Sequence, residues 1–135
     1  MATNTAGSVA RELGFQAVHY LRANVNYSDD AGASVSLGTI PAGSIIIPNA
    51  SGAFVTTAFA ADTTAQTMNI GVEGGDVDSL ATALVLTTAG QIELDVEANI
   101  LVSVDTPLAA ALTAGTAPTA GSAEVIICYI PDNDK

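Results

Sequence analysis

The sequence predicts an all-β protein: an antiparallel β-sandwich, jelly-roll-like, or a β-barrel, with at most one short helix. Three observations carry that prediction. Apolar and polar residues alternate with period two in several windows, the spacing of a strand with one buried face. Turn residues recur between those windows, too often for long helices. The third is composition: 49% of residues are hydrophobic but only 4% aromatic, with no Trp. A core of Ala, Val, Ile and Leu fills thin layers, and some of that apolar surface is expected to be buried against another chain. The 135 residues amount to one domain, read as an arm over 1–14 and a single β-domain over 15–135.

The arm is polar and small, with Gly7 and Gly14, and lacks a periodic apolar face. It is expected to order only on contact with a partner. From 15 to 27 the odd positions are mostly apolar and the even ones mostly polar, so this is a long first strand. Residues 28–32 form a turn. A strand through Val35, Leu37 and Ile40 leads to the turn Pro41-Ala42-Gly43, and a short strand over 44–47 is closed by Pro48. Residues 53–59 are β-prone, and Met68, Ile70 and Val72 alternate after them.

Gly74-Gly75 marks a turn, and 76–84 is the best helix candidate, with Asp76 and Asp78 near its start where the helix dipole favours acid. Further on, Ile92, Leu94 and Val96 oppose Glu93, Asp95 and Glu97. A strand through Ile100, Val102 and Val104 follows. Residues 107–121, rich in Ala, Thr and Gly and free of charge, are expected to be a loop with short extended pieces. The strand over 124–130 is apolar on both faces.

Fourteen acidic against three basic residues give a net charge of -11. Nucleic-acid binding needs Lys and Arg to neutralise phosphates, so neither nucleic acid nor an anionic membrane is an expected partner. The charge-free stretch 31–61 is long enough to span a bilayer, but Pro41, Pro48 and several glycines break it. The N-terminus lacks the basic start and apolar run of a secretory leader, so synthesis in the cytoplasm without export is expected.

Sites of chemistry are sparse. His19 lies on the apolar parity and reads as a core or interface histidine. Cys128, the single cysteine, reads as a small buried hydrophobe. No Gly-x-Ser-x-Gly elbow accompanies His19, and Gly71 to Gly75 fits neither a Walker nor a Rossmann pattern. Glu93, Asp95 and Glu97 would sit roughly 7 Å apart on one strand face and read as its solvent side, with calcium binding as the sharper alternative. Asp76 and Asp78 fit helix capping better than a calcium loop. No catalytic residue, metal ligand or cofactor site is assigned, and metal is expected to be dispensable.

Several segments together resemble small tailed-bacteriophage virion proteins of the capsid decoration (cement) type. These are Ile40-Pro41-Ala42-Gly43-Ser44-Ile45-Ile46, Phe54-Val55-Thr56-Thr57-Ala58-Phe59 with Thr67-Met68-Asn69-Ile70-Gly71, residues 74–84, and the close Ala120-Gly121-Ser122-Ala123-Glu124-Val125-Ile126-Ile127-Cys128-Tyr129-Ile130-Pro131. The likeness covers most of the chain from about residue 35 and is a pattern of strands and turns without a catalytic signature. It departs from the family in the acidic strand of Glu93, Asp95 and Glu97, and it does not extend to the arm.

The resemblance implies a non-enzymatic β-sandwich on the outer capsid surface of a virion. Its implied partners are the major capsid protein and further copies of itself, in a trimer. Val9, Arg11 and Leu13 are the expected capsid contacts, and Ile126, Cys128 and Ile130 the expected oligomer interface. The competing reading is a receptor- or carbohydrate-binding module on a tail or fibre. The lack of Trp and the presence of only three Tyr leave few rings to stack on sugars.

Overall fold

Two antiparallel sheets face each other across one core in the computed structural model, which describes residues 18–29, 34–60, 66–96, 98–113 and 118–132. The described elements are ten strands: β1 His19–Asn26, β2 Ser34–Ile40, β3 Ile45–Ile46, β4 Gly52–Ala60, β5 Thr67–Val72, β6 Ala81–Val85, β7 Gly90–Glu93, β8 Ile100–Leu101, β9 Thr106–Thr113 and β10 Ala120–Ile130. A 3-10 turn, Pro48–Ala50, separates β3 from β4. The all-β expectation holds.

β10 is the spine of the larger sheet. One of its edges carries β1 along eight residue pairs, from His19 opposite Tyr129 to Asn26 opposite Ser122. Its other edge carries β4 and then β3, with β7 outside β4 and β8 outside β3. The second sheet has the order β2-β9-β5-β6. Alternation explains the core: Val125, Ile127 and Tyr129 of β10 point inward, where Val25, Val55 and Ile46 join them. Across the layer they meet Leu37, Ile40, Met68, Ile70, Leu108 and Leu112. Leu21 of β1 packs over Gly38 of β2, which closes one side of the sandwich.

Two glycines are required by close approach. Gly121 has φ +145°, and a Cβ there would fall 2.4 Å from the Phe59 ring, so that ring lies directly on the β10 backbone. At Gly71 a Cβ would come within 2.3 Å of the Asp76 carbonyl oxygen, because the 73–80 loop folds back over β5.

Two expectations are corrected. Residues 76–84 form no helix. They make a turn, then the edge strand β6; Leu80 just before it and Ala81 and Leu84 within it are buried. Nine residues are too few for a self-supporting helix, whereas β5 offers a ladder: Leu80 N–H donates to the Ile70 carbonyl at 2.9 Å. Residues 107–121 are not mainly a loop. Most of their first half lies in β9, a central strand between β2 and β5. Its period-two signal is erased because Leu108, Ala109 and Ala110 are all buried. Ala109 pairs with Gly71, on the side over which the 73–80 loop lies.

Candidate interaction surface

The outward face of the larger sheet is built by the residues that alternate with the core set. On β10 these are Glu124, Ile126, Cys128 and Ile130. Register brings Arg22 beside Ile126 and Tyr20 beside Cys128. Ile45 stands opposite Ile130, and Leu101 opposite Ile45. Val18, just before β1, extends that last row past Ile130. Thus Val18, Ile130, Ile45 and Leu101 form an apolar row across four neighbouring strands, with Tyr20 and Cys128 in the row above. Leu101 is 68% exposed and Tyr20 62%.

Further along β10, Phe54 pairs with Glu124 and is 49% exposed. It borders a shallow groove of about 180 Å³, whose floor includes Gly52, Gln91 and Ile126. Glu124 also lines this groove, and its Oε2 pairs with Arg22 Nη2 at 2.5 Å. Arg22 is the one Lys or Arg among the described residues.

The backbone beneath is held by a serine. Where β3 gives way to β4, the ladder on β10 is interrupted. Ser51 Oγ accepts the Cys128 N–H at 2.8 Å and donates to the Ile47 carbonyl at 2.7 Å. Ile47 N–H donates to the Cys128 carbonyl at 2.9 Å. Ser51 is buried, so it repairs a gap that would otherwise strand a buried donor.

The expected interface residues Ile126, Cys128 and Ile130 therefore share one face, half-buried to exposed. Cys128 is not the buried hydrophobe expected; it is half-buried and outward, because β10 gives its inward positions to Ile127 and Tyr129. Desolvation pushes its thiol pKa up, away from the reactive thiolate. His19 is likewise no core residue. It keeps the inward parity, but at the sheet edge it is exposed, with its ring centroid 5.8 Å from that of Tyr129. Val9, Arg11 and Leu13 lie outside the described residues, as does Glu97.

The carboxylates are dispersed into structural tasks. Glu93, at the end of β7, and Asp95 are both exposed on either side of buried Leu94, the solvent side expected, and Asp95 Oδ2 also accepts the Thr82 N–H, which ties this turn to β6. Asp76 and Asp78 are in contact but cap no helix. A side-chain hydrogen bond that the protonated Asp76 carboxyl donates to Asp78, and the repulsion of the Asp78 charge, raise the pKa of Asp76. Among the described residues no three His, Cys, Asp or Glu side chains are grouped to hold a metal ion. No helix among them is long and apolar enough to cross a membrane.

Sequence reading assigned Ile126, Cys128 and Ile130 but missed Val18, Tyr20, Ile45, Phe54 and Leu101. Val18 and Tyr20 sit on the mostly polar parity of β1, a signal available in the sequence. The row they complete depends on the register of four strands from distant parts of the chain, which no local pattern encodes.

No protein-family model matches this chain, and no curated protein matches it. A solved structure does. The chain is similar to a chain of the cyanophage Pam1 capsid asymmetric unit, with a TM-score of 0.70 at 19% identity, over 96% of this chain and 98% of that one. The two share their fold from end to end.

Proposed function

We propose that this chain is a non-enzymatic virion structural protein. In this reading it is a capsid decoration, or cement, protein that binds the outer surface of a phage head and stabilises the shell. The observation that carries the reading is the end-to-end fold similarity to a chain from a phage capsid assembly, joined to the strand-and-turn resemblance read from the sequence. The charge agrees with an exterior position. A chain of net charge -11 facing packaged DNA would be repelled, while outside the shell salt screens it within about 10 Å.

The proposed partners are the major capsid protein and further copies of the chain, in a trimer. Val9, Arg11 and Leu13 are the proposed capsid contacts, and the protein reaches the virion from the host cytoplasm. Imaging gold-labelled protein on intact virions tests this. Label over the head, with heads lacking the protein rupturing at lower temperature, is the expected result. Label confined to the tail would replace it with the tail or fibre reading.

A further inference from the structure

We infer that the outward face of the larger sheet is where a second copy of this chain docks, with Leu101 of one copy seated in the Phe54–Ile126 groove of the other. This rests on the proposed self-association and takes it to a pair in place of a trimer, because one face docked reciprocally on its own copy closes with two-fold symmetry. The argument starts with charge. Fourteen of 135 residues are acidic, yet the rows Val18–Ile130–Ile45–Leu101 and Tyr20–Cys128 carry no carboxylate. A basic partner suited to a chain of net charge -11 would bring Lys and Arg, and these rows offer them nothing to pair with. The surface they fit is another uncharged apolar one.

The same face supplies it. Leu101 is the most exposed large apolar side chain described, at 68%, and it stands at the sheet edge on β8 as a knob. The groove of about 180 Å³ beside Phe54 and Ile126 has room for a branched aliphatic side chain. Knob and groove lie roughly 13 Å apart along β10, four residues at strand spacing. Two copies that present this face to each other can therefore exchange knobs. Glu124, which lines the groove, is already paired with Arg22, so closure buries no unpaired charge there.

The apolar rows supply part of the area that such a contact needs. Val18, Tyr20, Ile45, Leu101 and Ile130 together expose roughly 500 Å² of side chain, the size of a functional patch. The groove and its rim extend the face toward the roughly 800 Å² per partner of a stable interface.

Sedimentation of the full chain with single substitutions tests the inference. Wild type is expected to be a dimer at micromolar concentration. Leu101→Glu, at an exposed position, is expected to weaken association about a hundredfold while leaving the β-sheet circular dichroism unchanged. Tyr20→Glu does the same and stands in should Leu101→Glu misfold. Val85→Glu, on the other sheet and 51% exposed, is expected to leave the oligomer intact.

A wild type that stays monomeric at about 100 μM overturns the inference, as does an oligomer that both Leu101→Glu and Tyr20→Glu leave whole. Dissociation by Val85→Glu also overturns it, since any added charge would then suffice. Shell binding is read separately. An oligomer sensitive to Leu101→Glu that ignores capsids upholds this inference and ends the decoration reading, and a monomer that decorates capsids does the reverse.

Discussion

Two buried serines, seven residues apart, have opposite worth. Ser51 Oγ is bonded to both Cys128 N–H and the Ile47 carbonyl. Removing the hydroxyl strands a backbone donor at the seam of three strands, at a cost of about 1–3 kcal/mol. Ser51→Ala is therefore expected to lower the melting temperature by several degrees. Ser44 Oγ is equally buried but has no hydrogen-bond partner, while its backbone is paired to Pro41 and Val102. Ser44→Ala is expected to leave the melting temperature unchanged or raise it, because the substitution removes a buried, unsatisfied group and no bond. Equal losses in the two variants would refute this account. From sequence alone the two residues look alike; their difference lies in which strand end meets which, 77 positions apart for Ser51 and Cys128.

Among the elements, β6 is the one held most by side chains. Its register against β5 slips between Met68 and Ile70. Two N–H groups of the slipped stretch find side-chain acceptors instead: Thr82 on Asp95, and Ala83 on Asn69 Oδ1 at 2.8 Å. The slip leaves Ala83 at φ +53°, a conformation that costs a residue with a Cβ about 1–2 kcal/mol. Ala83 is exposed, so Ala83→Gly loses no packing and relieves that strain. The expected outcome is a net gain in thermal midpoint, reduced by the greater unfolded-state entropy of glycine.

The loop before β6 carries the contact between Asp76 and Asp78, which raises the Asp76 pKa. A carboxyl whose folded pKa is raised favours the native state at low pH, and that advantage is lost as pH rises through the folded value. At neutral pH both carboxylates are charged and repel. Asp78→Asn is expected to raise the melting temperature at neutral pH, with the gain fading as pH falls through the carboxylate range. A gain that is constant with pH would mean that charge is not the cause.

This element also marks the limit of sequence reading. The alternations around Val25, Met68, Ile70 and Leu94 placed buried strand faces correctly, because burial on one face leaves a local period. The segment 76–84 and β9 defeated it. In the first, pairing to β5 overrode a helix-like pattern. In the second, cover on both faces removed the polar half of the alternation. The outward residues of β10 were legible from its alternation, but their neighbours Leu101 and Phe54, each contributed by a different strand, were not.

For the whole molecule, the proposed division of labour is that the β-domain associates with itself through its larger sheet while residues 1–14 hold the capsid. The physical ground is burial. The 1–14 segment has no periodic apolar face, and fixing each residue costs roughly 1–2 kcal/mol of backbone entropy. In this proposal its contacts come from a partner surface, for which Val9 and Leu13 supply the apolar anchors and Arg11 one of only three cations in the chain. Trypsin reads this directly, because Arg11 and Arg22 are its only internal sites. Arg22 lies within β1, paired along its length to β10 and tied to Glu124, so cleavage there is expected to be slow in every state. Cleavage at Arg11 is expected to be rapid in free protein and suppressed on shells. Deleting residues 1–13 is then expected to leave a folded oligomer that no longer binds shells, with Leu101→Glu giving the complementary phenotype of a folded monomer that keeps its capsid-binding segment. If the truncated protein decorates shells at wild-type occupancy, the attachment lies on the β-domain, and the outward face of the larger sheet becomes the first place to look for it.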